Sequence, residues 1–291
     1  MTRTSSVVWP VVALVVAAAL FGSTFVVVKD AVATLPALTF IAWRFGVAAL
    51  ALLAIAPPRN RRVWRDGLIG GSLVFAAFWA QTQALTETSA TNSGLVTGLY
   101  VIFTPFVAAA WGRRGRIRPG VLLGTLVAFA GLALLTIRDG LTPLPADMLT
   151  VVAAVLFAVH IVYLSRVAPH HPVVPFTAVQ MLVTAGGAAL VGWLVEGLPM
   201  PSGSVWLAIV LTGLLVSGGA FLLQIWAQTR VSPTLAAVVL AFEPAFATAI
   251  AGLVGAERLS LQGWIGAGLI MAAIYLVIAS ERDESLAEAI T

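Results

Sequence analysis

Two formal charges stand where the sequence is otherwise apolar. Arg44 follows Phe40-Ile41-Ala42-Trp43, and Glu243 follows Val238-Val239-Leu240-Ala241-Phe242. An ion in such a setting must be paired, hydrated or used, because unpaired charge is costly in hydrocarbon. A carboxylate there can take up and release a proton, or balance a cationic group on a solute. Arg44 can pair with it, or extend its guanidinium to the nearer interface. Amides and aromatics form a second tier. Trp79 and Gln83 are four residues apart, as are Gln224 and Gln228, and Asn92 and Tyr100 are eight apart. Helical spacing of three or four puts such pairs on one face. The expected substrate-binding set is Trp79, Gln83, Asn92, Tyr100, His160, Gln224, Gln228 and Glu243. Arg44, Pro105 and Pro244 are expected to gate or bend the helices. His160 can titrate near neutrality, yet it has no His, Asp or Glu one helical turn away. It therefore reads as a hydrogen-bonded bundle residue, with no metal site and no catalytic group.

These residues need a frame, and composition supplies it. Of 291 residues, 60% are hydrophobic and 10% charged, against roughly 25% charged in soluble domains. Splitting the chain at charges, prolines and turn clusters gives ten apolar spans, each near the ~20 residues that cross a bilayer. Their limits are 7–28, 36–56, 67–85, 89–111, 119–137, 147–165, 173–195, 204–227, 233–253 and 260–280. The run Val7–Val28 exceeds a signal-peptide core and reads as an uncleaved first span. If the N-terminus is cytoplasmic, twelve Lys and Arg residues lie in inner segments, and only Lys29, Arg138 and Arg258 lie in outer ones. That asymmetry puts both termini inside. His170 and His171, between Pro169 and Pro172, read as solvated in an inner loop.

The chain also repeats itself. Ala84-x-Thr86-x-x-Ser89-x-Thr91 matches Ala227-x-Thr229-x-x-Ser232-x-Thr234 at an offset of 143, and Phe103-Thr104-Pro105 matches Phe242-Glu243-Pro244 at 139. Ser89 and Ser232 each precede a span and are suited to cap it, with Pro233 at the first helical position. Five spans per unit is an odd number, so the second unit enters the membrane upside down. The expected fold is all-α and integral to the membrane, with ten transmembrane helices as two inverted five-helix repeats. Expected boundaries are 1–138 and 147–280, with a cytoplasmic tail at 281–291. Inverted repeats place a solute site near the bilayer midplane where they meet, and prolines at matched positions suit helices that flex there.

Phe21-Gly22-Ser23-Thr24-Phe25, Ala42-Trp43-Arg44-Phe45, Thr88 through Leu95, Phe103-Thr104-Pro105, Val231-Ser232-Pro233-Thr234, Phe242-Glu243-Pro244 and Gly255-Ala256-Glu257-Arg258 together resemble the drug/metabolite transporter superfamily, in its EamA-type branch. Phe21 departs from the Trp that many relatives carry before Gly-Ser. The resemblance implies a secondary transporter in the cytoplasmic (inner) membrane, often an exporter of amino acids or other metabolites. With apolar walls and few polar groups, the expected substrate is a neutral or aromatic amino acid or a related amphipathic metabolite. Cationic drugs, sugar or nucleotide derivatives and a channel-like pathway are the alternatives.

Other classes lack their residues. There is no cysteine, no HExxH, and no GK[ST] phosphate loop beside Gly263-x-x-Gly266-x-Gly268. That glycine set, like Gly186-Gly187-Ala188, reads as a surface for close helix packing. No enzyme activity or cofactor is expected. Expected partners are a small-molecule substrate, membrane lipid and protons. Nucleic acid is excluded, since the basic residues cluster between spans.

Overall fold

The computed structural model describes residues 5–88, 90–111, 117–136, 145–246 and 261–287, and the regular structure among them is helical. In the first half, α1 (Ser5–Gly22) and α2 (Phe25–Val32) make span 1, α3 (Ala37–Ile55) span 2 and α4 (Arg61–Leu85) span 3. Span 4 is α5 (Ala90–Thr97) plus α6 (Tyr100–Trp111), and span 5 is α7 (Pro119–Thr136). In the second half, α8 (Pro145–Val167) is span 6 and α9 (Val173–Val195) span 7. Span 8 is α10 (Gly203–Leu211), a π-helical stretch (Thr212–Ala220) and α11 (Phe221–Gln228). Then α12 (Pro233–Leu240) opens span 9, and α13 (Leu261–Ala287) is span 10. Seven of these units are long and apolar enough to cross a membrane, while Tyr100–Trp111, Pro119–Leu134 and Pro233–Phe246 are shorter apolar helices.

Helix starts follow local chemistry. Pro36 and Pro172 precede α3 and α9 with extended backbones, and proline cannot donate into a first turn. Asn60 caps α4 by accepting from Arg62 N at 2.8 Å. Ser232 Oγ accepts from Leu235 N at 3.1 Å, with Pro233 in the first turn of α12. Ser89 lies outside the described residues, as does the Gly255–Arg258 motif. The start of α3 is capped from afar. Glu196, after α9, accepts from Leu38 N (3.1 Å), Thr39 N (2.9 Å) and Thr39 Oγ1 (2.9 Å), placing negative charge at a helix N-terminus.

Helix neighbours come in twos, as exchange of two equivalent units requires. Spans 2 and 7 pack together, as do 4 and 9, and 5 and 10. Span 3 packs against 6 and 7, and span 8 packs correspondingly against 1 and 2. Close approach rests on glycine. A Cβ on Gly71 would sit 2.7 Å from Val183 Cβ and 2.8 Å from Gln180 O, so α4 and α9 meet almost backbone to backbone. The Gly186–Ala188 surface serves at Gly187, against the Phe75 ring, while among the described residues nothing stands within 4 Å of a Cβ placed on Gly186 or Gly268.

One expectation is corrected at the inner face. His170 is exposed, but the His171 side chain is only 4% exposed, with Nε2 2.8 Å from Asp66 Oδ2. It stacks on Phe176 at 4.9 Å, while Arg65 Nε donates to Asp66 Oδ1 at 2.8 Å and Tyr163 donates to Asp66 O. A carboxylate at the start of α4 thus draws the loop histidine in. α13 continues past Ser280 to Ala287, into the stretch expected as a tail.

Candidate substrate-binding site

Besides the π-helical stretch of span 8, spans 1, 4 and 9 are interrupted in the middle, and these three interruptions lie beside one cavity. Span 1 breaks at Ser23-Thr24, whose hydroxyls donate to Leu20 O (2.8 Å) and Phe21 O (2.9 Å). Span 4 tightens at Gly98-Leu99, where Leu99 N bonds Val96 O at 3.1 Å. Span 9 tightens at Ala241-Phe242, where Phe242 N bonds Val239 O at 3.2 Å. The last two bonds are the same bond, 143 residues apart. Irregular backbone at membrane depth is tolerated where it lines a cavity, and broken helices surround solute sites in inverted-repeat carriers.

The shared offset corrects the alignment of the prolines. At 143, Pro244 stands opposite Val101, one turn short of Pro105. Pro244 follows directly on the span 9 interruption and cannot donate to Leu240 O. Pro105 sits inside α6, past an interruption centred on Gly98, with Thr104 Oγ1 donating to Tyr100 O at 2.6 Å beside it. The residues that open the resumed helices at equal positions are Tyr100 and Glu243.

The cavity, counted together with the open space at its mouth, spans about 690 Å³, and its wall is built largely of repeat-related pairs. At offset 143 these are Phe78 with Phe221, Gln81 with Gln224, Thr97 with Leu240 and Tyr100 with Glu243. At offset 136 they are Phe21 with Phe157, Thr24 with His160 and Phe25 with Ile161. The aromatic geometry repeats as well. Phe21 meets Phe221 at 5.3 Å and 87°, and Phe157 meets Phe78 at 5.3 Å and 88°. Phe78 and Phe221 face each other at 6.0 Å, where a two-fold axis would pass.

The pairing ends one layer out. Val28, Thr82 and Leu85 also line the cavity, whereas their counterparts Leu164, Ile225 and Gln228 do not. Leu164 and Ile225 are fully buried. The Gln228 amide donates to Ile161 O (2.8 Å) and Ser165 Oγ (2.9 Å) and accepts from Gln224 Nε2 (3.1 Å). By the Lys and Arg count, the extra layer lies toward the outside and the packed one toward the cytoplasm. At the outer rim, Lys29 Nζ donates to Leu85 O (2.5 Å) and Thr88 O (2.9 Å), and Thr88 Oγ1 donates to Asp147 Oδ1 (2.9 Å).

Of the residues singled out by sequence, the structure brings Arg44, Tyr100, His160, Gln224 and Glu243 to this cavity. Gln228 is buried behind it. Trp79, 39% exposed, and Gln83 lie off it. The cavity face of α4 is Phe78, Gln81, Thr82 and Leu85, and Trp79 points about 100° away from Phe78. Spacing put Trp79 and Gln83 on a common face without saying which way it turns. The side chain of Asn92 lies outside those described. The Phe cluster, Gln81, Thr82 and Thr97 were missed, although extending the 143 offset back three residues from Ala84 finds Gln81 opposite Gln224.

Polarity is sparse and specific. His160 Nε2 lies 2.8 Å from Gln180 Oε1, and Gln81 Nε2 donates to Thr97 Oγ1 at 2.9 Å. Arg44 Nε donates to Ser217 Oγ at 2.8 Å. Arg44 and Glu243 do not form the ion pair their depths allow; among the described residues no N···O contact within 4.0 Å joins them. Neither the Glu243 carboxylate nor the Tyr100 hydroxyl has a hydrogen-bond partner among the described residues. The cavity thus presents a guanidinium, a carboxylate and a phenol between aromatic walls. No three His, Cys, Asp or Glu side chains cluster to hold a metal among the described residues.

The model of the EamA-like transporter family matches this chain twice, over residues 8–137 and 144–279. The chain belongs to the EamA-like transporter family. Its EamA architecture is that of a membrane transporter. An uncharacterized transporter of Archaeoglobus fulgidus is 28% identical over 265 residues, covering 91% of this chain and 84% of its own. The uncharacterized inner membrane transporter YedA of Escherichia coli K12 is 26% identical over 273 residues, covering 89% and 87%. A crystal structure of 24% identity superposes with a TM-score of 0.77 over 97% of this chain and 99% of its own, a likeness of fold.

Proposed function

We propose that this EamA protein is a secondary transporter of the cytoplasmic (inner) membrane that exports a zwitterionic amino acid with an apolar or aromatic side chain by alternating access. The observation that carries this reading is the hydrogen-bonding capacity left open in the cavity among the described residues, at the Arg44 Nη groups, the Glu243 carboxylate and the Tyr100 hydroxyl. Arg44 suits a substrate carboxylate. Glu243 with Tyr100 suits an ammonium, and the phenylalanines suit the side chain. A cationic drug would leave Arg44 without a partner and meet a like charge. A sugar or nucleotide derivative would leave many hydroxyls facing phenyl rings. A cavity reaching one layer further on one side than the other supports access from one face at a time, which a channel-like path does not need. Export is what the family resemblance implies. Glu243 is also the group suited to exchange a proton during the cycle, and the basic inner segments suit anionic lipid.

Counterflow in liposomes tests the reading. Purified protein should accumulate labelled L-phenylalanine against an internal load of the same compound. Uptake should saturate and be competed by L-leucine, but not by glucose, uridine or tetraphenylphosphonium. Flux that rises linearly with concentration, or is competed equally by all four, would sink it.

A further inference from the structure

The guanidinium in this cavity is held by a residue that does not line it. Ser217 is fully buried behind the cavity wall, and its hydroxyl accepts from Arg44 Nε at 2.8 Å. The Arg44 guanidinium carbon lies 5.4 Å from the centroid of Phe78 and 5.5 Å from that of Phe45. Held by a hydrogen bond at one edge and by rings on its flanks, the side chain has a fixed direction. Its four Nη hydrogens find no acceptor among the described residues, and Arg44 lines the cavity. That leaves the forked end for a ligand.

Backbone geometry explains how a serine from span 8 reaches this spot. Thr212–Ala220 runs as π-helix, and the Phe221 N–H returns to Val216 O, five residues back. Such wide turns re-aim side chains and are frequent at functional sites. Gly213 sets the distance, since a Cβ there would stand 2.7 Å from Arg44 O and 3.2 Å from Val47 Cβ. In the other repeat, the matching stretch of α4, residues 69–77, is regular α-helix, and Val74 stands at the place of Ser217. A hydroxyl and a π-stretch therefore occur together in the one repeat that faces Arg44.

We propose that Ser217 is a positioning residue that aims Arg44 at the substrate carboxylate and so sets the preference for carboxylate-bearing solutes. This rests on the amino-acid reading above. Kinetics of L-phenylalanine counterflow in Ser217→Ala test it, with phenethylamine, the same molecule without its carboxylate, as competitor. The KM for phenylalanine should rise about tenfold, the size of losing one hydrogen bond to a charged group. The maximal rate should stay within about twofold, and inhibition by phenethylamine should not weaken. Ser217→Thr, which keeps a hydroxyl, should restore the KM. If S217A does not fold, S217C, with a weaker acceptor of similar size, takes its place. An unchanged KM overturns the role of Ser217, as does a maximal rate that falls while the KM stays. So does a KM that rises in parallel with weakened amine inhibition. Absence of saturable phenylalanine counterflow in the unsubstituted protein overturns the amino-acid reading itself, and the Ser217 role with it.

Discussion

Arg44 and Gln180 occupy one position in two copies of a unit. Each is the eighth residue after the proline that starts its helix, Pro36 for α3 and Pro172 for α9, at the offset of 136 that also relates Phe21 to Phe157. Their surroundings have diverged. Gln180 is fully buried, with its oxygen 2.8 Å from His160 and its backbone pressed on Gly71. Arg44 lines the cavity and is held by Ser217 from a π-helical stretch where the matching residues of α4 are regular α-helix. Duplication supplies a symmetric frame, and substitution at a few equivalent places turns that frame into a polar axis. A symmetric cavity would bind a zwitterion in either of two inverted orientations; a cation in one repeat and an anion in the other select one.

Exchanging the side chains at these two positions has the largest expected effect. Gln180→Arg buries a cation without a counter-ion and should destabilise the protein by about 3–5 kcal/mol, read as a lowered thermal midpoint in detergent. Arg44→Gln should leave that midpoint within a few degrees yet raise the KM for L-phenylalanine at least about 100-fold, as loss of a charged recognition group does. A mild Q180R together with a harmless R44Q would mean that the two sites have not diverged.

The aromatic cluster has kept the symmetry that Arg44 and Gln180 lost. Phe78 and Phe221 each meet a phenylalanine of the other repeat at 5.3 Å, as well as each other. Phe78→Ala and Phe221→Ala should therefore lower stability by similar amounts, about 3–5 kcal/mol each as for a buried phenylalanine, of which each ring pair supplies about 0.5–1.5 kcal/mol. A difference of more than about twofold between them, measured in one denaturation series, would argue against the two-fold arrangement. The smallest effect is local. Ser232→Ala removes the cap on α12 and should cost about 1 kcal/mol, with the KM unaltered.

Much of the frame was legible because the bilayer leaves few options. Backbone polar groups in hydrocarbon must be satisfied within the chain, so apolar runs of sufficient length give the ten spans, and Lys and Arg between them give orientation. Repeat matches around Ser89 and Ser232 gave the inverted pairing. Arg44 and Glu243 were conspicuous because charge in an apolar run needs a reason. Helical spacing fixed which side chains share a face but not where that face points, which is how Trp79 and Gln83 came to stand for the cavity side of α4 in place of Gln81 and Thr82.

The number of spans, their inversion and the rarity of interior charge can thus be read along the chain, because each follows from the solvation of single residues. Only packing between distant helices seats Arg44 on Ser217, with no N···O contact to Glu243 within 4.0 Å among the described residues, puts the helix interruptions at Leu99 and Phe242, and brings four phenylalanines together at the centre. Those outcomes depend on crossing distances set by glycines such as Gly71 and Gly213 and on one π-helical stretch. Contacts between helices far apart in the chain carry no periodic signature along it.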